Sequence, residues 1–402
     1  MHVPGWHEAT KDWQEAGDIQ MVGIIQEQHP DRARLFMQWK KMGWPIMVDS
    51  LNLLDMQVVP LTLAIDEHGV IRQIQPPRDE LAELRASFVD VDFDPASAAA
   101  AKITPSPAEE MFLWGDDSRI DDIVDAFEHA LVEDLRDGDG EGKTLFRTGV
   151  AYRRRHDSPY RRQGDPGAAG SPRGTPSDFQ SAVIYWERAL KVDPNNYIWR
   201  RRIQQYGPRL DKPYPFYDWV PTAREEITAR GETPAALVAE PGGAEFAEPL
   251  REFAAEAGAI EPPDPDGRIY RDDARERYVN VEDAAMVPTS TRAGASARAH
   301  LTFVPNEAIK AHWNNEVDGL VFWIEDIPEG WQVDRRLHSV PNPPDAVSLE
   351  PRKVEFEVKT PDGATPGTYE VAGYALYYVC EDVNGVCLYR RQDLSFTVGV
   401  HR

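Results

Sequence analysis

Cysteine is nearly absent. The 402 residues hold two, Cys380 and Cys387, so any thiol chemistry in this chain rests on that single pair. Long apolar runs are also missing: nothing approaches the roughly 18 consecutive apolar residues a membrane span requires, and no basic-then-apolar leader precedes the first helical pattern. Basic charge is scarce, with 44 Lys and Arg against 68 Asp and Glu and a formal net charge of −24. Phosphate backbones and anionic lipid surfaces are bound through Lys and Arg, so this balance argues against nucleic acid and membrane surfaces as partners. Metal-ligand spacing is lacking too. The ten histidines form no His-x-x-x-His or His-Glu-x-x-His, and no Cys-x-x-Cys occurs, which leaves no zinc motif. Gly138-Asp139-Gly140-Glu141-Gly142-Lys143-Thr144 has neither the spacing nor the preceding strand of a phosphate loop, and no Gly-x-Ser-x-Gly elbow exists. The sequence therefore calls for no cofactor and no metal. His312-Trp313-Asn314-Asn315-Glu316 reads as a loop: either an Asn-solvated turn or a loop used for binding.

Such a length exceeds one small core and predicts three units. In the first, residues 1–90, helical patterns alternate with short apolar segments, which implies an α/β layer architecture. Pro4–Ala16 reads as a helix, Ile19–Ile25 as a compact buried strand, Pro30–Met42 as a helix, Pro45–Val48 as a short apolar segment and Arg78–Phe88 as an amphipathic helix. Between the last two, Gln57-Val58-Val59-Pro60-Leu61-Thr62-Leu63-Ala64-Ile65 runs into the turn residues Asp66-Glu67-His68-Gly69 and then Val70, Ile71 and Ile74. That is a strand, a hairpin and a second strand, with a proline at the strand entrance where a ladder donor can be spared.

This Val-Pro, strand, Asp-x-x-Gly, strand segment resembles that of thioredoxin-like and redoxin proteins, and the resemblance covers the whole first unit. It implies that Pro60 is cis and sits where a redox pair is faced. Leu61 stands where that family often has Thr, which is tolerated because the family uses the backbone there. The family's first strand and its Cys-x-x-Cys at a helix N-terminus, where the dipole lowers the thiol pKa, are not in these residues. Either the unit is a redox-dead module, or the start at Met1 lies downstream of a true one. The second is favoured, because a sheet without its central strand leaves unpaired backbone and exposed apolar faces.

Residues 91–117 read as a linker rich in Asp, Ala, Ser and Pro. A helical region, 118–260, follows. Ile120, Ile123, Val124, Phe127 and Leu131 share one face of a helix over Ser118–Leu135, Thr144–Arg155 is a second helix, Asp157–Pro176 an exposed loop and Ser177–Tyr206 helical. Phe179, Ala182, Trp186, Ala189 and Pro194, with Gly149 and Tyr152 before them, resemble one tetratricopeptide repeat at about 144–206. One repeat cannot bury its apolar face alone. It is either a docking surface for a protein partner or a helical spacer. Tyr206–Pro221 reads as a segment wrapping its rings over a neighbouring surface, and short helices are expected at Thr222–Arg230, Ala235–Val238 and Glu245–Ala257. Residues 261–276 read as a second linker.

The pattern becomes period-two from 277 to 402. Arg298–Val304, Gly319–Ile324, Val354–Val358, Gly367–Tyr378 and Leu394–Val400 are short β-type runs between turn residues, which predicts an antiparallel β-sandwich of immunoglobulin size. Asn384-Gly385 is a hairpin signal, so Cys380 and Cys387 fall on opposite strands near its turn, where they can approach bonding distance. Three states are open: an exchange pair, a structural staple or free thiols. Closing so short a loop removes little unfolded-state entropy, about 2 to 3 kcal/mol at most, which weakens the staple.

The Tyr377-Tyr378-Val379-Cys380 strand, acidic and Gly-containing turn, and Cys387-Leu388-Tyr389 return resemble the N-terminal domain of the thiol:disulfide interchange protein DsbD. That resemblance covers about the last hundred residues. It implies an immunoglobulin-like fold, exchange through Cys380 and Cys387, and aromatic capping by Tyr377, Tyr378 and Tyr389. One extra residue between the cysteines and Leu388-Tyr389 after the second depart from the family. The expectation is a multidomain thiol-disulfide oxidoreductase with protein thiols or disulfides as partners, joined to a thioredoxin-like α/β sandwich by a tetratricopeptide-like connector. The alternative is a non-catalytic scaffold. The compartment follows the start: extracytoplasmic if residues are missing before Met1, cytoplasmic if Met1 is the start.

Overall fold

A computed structural model describes residues 2–94, 104–137, 141–158, 160, 176–209, 216–246, 253, 260–273, 277–381 and 385–402. It is a mixture of helices and sheets gathered around several separate apolar cores. The first part runs α1 (His2–Ala16), β1 (Gly23–Ile25), α2 (Pro30–Lys40), β2 (Ile46–Val48), β3 (Leu63–Ile65), β4 (Ile71–Ile74) and α3 (Leu81–Leu84), which passes into a wider π turn at Arg85–Val89. The hairpin forms as its turn chemistry dictates: Gly69 takes a left-handed φ of 81°, and the Asp66 carboxylate accepts from the amides of His68 and Val70, each at 2.9 Å. The peptide bond before Pro60 is cis.

The strand expected at Ile19–Ile25 is confined to Gly23–Ile25 and is not buried. Val22 and Ile24 are 46% and 43% exposed. The cause is pairing. Among the described residues β1 pairs in parallel with β2, and β3 pairs with β4, as two separate ribbons. Between them opens a cavity of about 1440 Å³ whose walls include Val22, Ile24, Val59, Pro60, Leu63 and Ile65.

Helices follow: α4 (Pro107–Trp114), α5 (Ile120–Asp137), α6 (Glu141–Asp157), α7 (Asp178–Val192), α8 (Tyr197–Gln204) and α9 (Trp219–Ala229). Helix α4 lies inside the stretch read as a linker. Its capping box, Ser106 with Glu109, starts a helix that buries Ala108 and Phe112. The face of α5 is as expected, with Ile120, Ile123, Val124, Phe127 and Leu131 all in the helical core. Gly149 of α6 meets Trp186 of α7, where a Cβ would stand 2.5 Å from the indole. Ala235–Val238 is not helical. The Asp157–Pro176 loop, the Asp137–Gly140 helix end and the Glu245–Ala257 helix fall largely outside the described residues.

The last part contains β5 (Val279–Val287), β6 (Ser290–Arg292), β7 (Ser296–Pro305), β8 (Ala311–Asn314), β9 (Leu320–Asp326), β10 (Gln332–Val333), β11 (Leu337–Val340), β12 (Val347–Ser348), β13 (Arg352–Lys359), β14 (Gly367–Glu381) and β15 (Cys387–His401). One sheet has the order β10-β13-β7-β5, the other β11-β9-β14-β15-β6, with β8 also pairing β14 and β12 pairing β8. Their inner faces share one core that includes Phe303, Phe322, Phe356 and Tyr377. The helices are not a free spacer. Ala285 and Val287 of β5 belong to the helical core, and Gln180 of α7 accepts from and donates to the Met286 backbone at 2.9 and 3.4 Å.

The described part of the 261–276 stretch read as a linker forms, with Ile260, an anchored strap over 260–273. It has no helix or extended strand, yet Asp264 and Asp272 are buried and Ile269 joins Trp323, Tyr374 and Leu376 on the outer face of the second sheet. The loop expected at His312–Asn314 is instead strand β8.

Candidate thiol pair and its surroundings

Strands β14 and β15 are antiparallel over their whole length, in a register that sets Gly367 opposite Val400 and Cys380 opposite Cys387. Apolar alternation fixes that register: Val371, Tyr377, Val379, Val398 and Val400 must share the inner face, and a slip of one residue would turn them all outward. The cysteines thus meet across the ladder and are joined by a disulfide, with Cα atoms 4.0 Å apart. The turn residues Asp382–Asn384 lie outside the described residues. Cys380 is buried at 4% exposure, whereas Cys387 is exposed. The pair is therefore asymmetric, one cysteine at the surface and the other packed beneath it.

Of the three tyrosines expected as caps, two share the outer face of the cysteines. Tyr378 and Tyr389 face each other one pair further along the same face, their rings stacked with centroids 4.2 Å apart. Burial, with Tyr378 and the carboxylates of Asp264 and Asp318 nearby, pushes the Tyr389 phenol up to about 12, so it stays a neutral donor at ordinary pH. Tyr377 does not cap the pair. An odd position on β14 points inward, and its hydroxyl donates to Asp272 Oδ2 at 2.6 Å while its ring meets Trp313 edge-on.

On the other side of β14, β8 sets His312 opposite Cys380 and Trp313 opposite Val379. Spacing gave no sign of this, since the partner strands lie about seventy residues apart in sequence and only the sheet brings them together.

Pro60 is not brought to the cysteines. It lines the large cavity of the first part, among residues that do not include either sulfur.

A second group of ionisable residues lies where helices and sheets meet. His156 of α6 bridges Asp157 and Asp283 at 2.7 Å each, Arg153 lies 3.2 Å from Asp157, and His29 lies 3.7 Å from the same carboxylate. His300 of β7 reaches the Tyr206 carbonyl at 2.8 Å. The chamber they enclose is only about 30 Å³, enough for a water or two. These charges of opposite sign weld α6 to strand β5. Among the described residues no cluster of His, Cys, Asp and Glu is arranged to hold a metal ion, and no helix is long and apolar enough to cross a membrane.

No protein-family model matches the chain. Solved structures show only distant likeness. AvmM, described as catalysing macrocyclization in alchivemycin A biosynthesis, is 15% identical over 33% of this chain and 97% of its own, with a TM-score of 0.21. A ceramidase complexed with C2 is 13% identical over 44% of this chain and 26% of its own, at 0.16. A PapD-like domain of human CEP192 is 10% identical over 28% of this chain and 75% of its own, at 0.14. At such scores these likenesses carry no argument about fold or function.

Proposed function

We propose that this chain is a thiol-disulfide exchange protein working through Cys380 and Cys387, with protein thiols or disulfides as partners. The observation that carries the reading is the asymmetry of the pair: one cysteine exposed, one buried, beside a stacked pair of tyrosines at the end of a long ladder. A staple needs no such exposure, and closing a seven-residue separation stabilises little. On this reading the two facing sheets are an immunoglobulin-like sandwich of the DsbD N-terminal kind, α6 to α8 a tetratricopeptide-like repeat, and the first part a thioredoxin-like unit. A partner thiolate attacks Cys387 Sγ, a mixed disulfide forms, and Cys380 resolves it.

Replacing either cysteine by Ser should abolish dithiol-dependent insulin reduction, and Cys380→Ser should trap a mixed disulfide on Cys387. The pair's reduction potential should lie above about −300 mV, the region below which structural disulfides fall. Unchanged insulin reduction, or a potential well below that value, would sink the reading.

One observation favours the rival, a binding scaffold. Two ribbons face each other across an apolar cavity, β1 and β3 each pairing on one side among the described residues, and main-chain edges of that kind accept an added strand. Pro60 would then be part of a binding wall rather than of a redox site. Failure to trap any mixed disulfide would favour this alternative.

A further inference from the structure

We propose that His312 supplies the positive charge and the proton that make Cys380 a workable leaving group. This rests on the exchange reading of the cysteine pair. Across three strands the register places His312 of β8, Cys380 of β14 and Cys387 of β15 in one row. The row faces outward, because its neighbours Trp313 and Val379 are 3% and 0% exposed and belong to the inner core. Directly opposed residues in a ladder hold their Cβ atoms about 4.5 to 5.5 Å apart, so half-buried His312 and Cys380 are side-chain neighbours on that face.

The chemistry needs such a group. When an incoming thiolate bonds to Sγ of Cys387, the exposed cysteine of the pair, the bond between Cys387 and Cys380 breaks and its electron pair passes to Cys380 Sγ. That atom is then a thiolate at a site only 4% exposed. Burial disfavours the charged form, and a leaving thiol of high pKa leaves slowly. An imidazolium alongside offsets the charge and hands its proton to the sulfur. In the resolving step the proton returns and Cys380 attacks the mixed disulfide.

Other groups near the row do not supply this. Tyr378 and Tyr389 face the same way but carry no basic group and are stacked on each other. Asp318, which acts on Tyr389, and Glu316 in the loop after β8 are anionic. Glu381 lies one position along on the inward face, its carboxylate accepting from the Tyr278 hydroxyl at 2.6 Å. Lys310, in the left-handed turn before β8, is exposed and lies outside the ladder that holds the row. Ser348 and Val347 of β12, on the far side of β8, carry no charge.

The test uses the full chain bearing Cys387→Ser, which leaves one thiol at 380, and follows thiolate ultraviolet absorbance against pH. With His312 in place the inflection should lie at least about one unit lower than with His312→Gln, and His312→Lys should restore the low value. In the oxidised two-cysteine chain, His312→Gln should slow reduction by glutathione about tenfold at neutral pH. If His312→Gln unfolds, as read from its thermal transition, His312→Asn makes the same comparison. Equal inflections in the His and Gln chains would overturn the assignment. A displaced inflection in a protein that forms no mixed disulfide would uphold the His312 coupling and overturn the exchange reading.

Discussion

Gly149 shows how far one atom is constrained. A methyl there would stand 2.5 Å from Trp186 Cδ1 and Nε1 and 3.0 Å from the Ala182 carbonyl, and Trp186 is wholly buried. Glycine inside a helix ordinarily costs about 1 kcal/mol relative to alanine, so Gly149→Ala would stabilise an exposed helix. Here overpacking costs about 1 to 3 kcal/mol, and a net loss is expected. Trp186→Ala should cost about 3 to 5 kcal/mol by opening a void. The double variant should lose less than the sum of the two, since the new methyl enters that void. Urea unfolding of the four chains measures the coupling; strict additivity would show that the two residues do not share one space. The alternation of β14 is equally strict for tyrosine. Position 378 shares the face of 380 and position 377 cannot, so period-two counting alone excludes Tyr377 as a cap.

Elements built on local pattern were legible in the sequence; elements held by distant partners were not. The apolar face of α5, the helices around Gly149 and Trp186, and the long strands carrying the cysteines follow from period and turn residues. Strand β8 is four residues of mixed polarity whose ladder partners lie some seventy residues away in β14 and some thirty-five away in β12, so nothing nearby announces it. The 260–273 strap has no period because two buried carboxylates and the single apolar contact of Ile269, not a repeating apolar face, tie it down. Asp264 pairs with Arg391 at 3.1 Å, and Asp272 accepts from the Tyr377 hydroxyl and from the amides of Tyr278 and Val279. Asp272→Ala removes the carboxylate acceptor from the Val279 amide, which is buried, from the half-buried Tyr278 amide and from the Tyr377 hydroxyl, at a cost of about 1 to 3 kcal/mol. The strap should then loosen first. Limited proteolysis should cut within 260–273 at protease levels that leave the unaltered chain intact, and an unchanged cleavage pattern would contradict the anchoring role of Asp272.

At the scale of the whole molecule, the helices and the first sheet are joined through buried charge, which makes their union depend on pH in a direction that can be worked out. Burial favours the neutral form of His156, but Asp283 and Asp157, both hydrogen-bonded to it, outweigh burial and raise it to about 9. His156 therefore binds its proton more tightly in the fold than in the unfolded chain. The stabilisation it gives, about 3 kcal/mol, is complete below the unfolded value near 6.5 and is lost as pH rises toward 9. His29 behaves in the opposite sense. Burial, helped by Arg32, Arg153 and Arg202 and opposed by Asp157, holds it well below 6.5, so below that pH the unfolded chain takes up a proton the fold refuses, and stability falls. Asp157 is also held well below the usual carboxylate range, burial notwithstanding, by Arg153 and His156, which adds to the loss in stronger acid. Stability should therefore pass through a maximum near the unfolded imidazole value, with decline on both sides. Urea unfolding between about pH 5 and pH 9 should show this maximum, and His156→Gln should lower it and flatten its alkaline side while leaving the acid side in place. An alkaline slope that survives His156→Gln would show that the weld at Asp283 is not what joins helices to sheet.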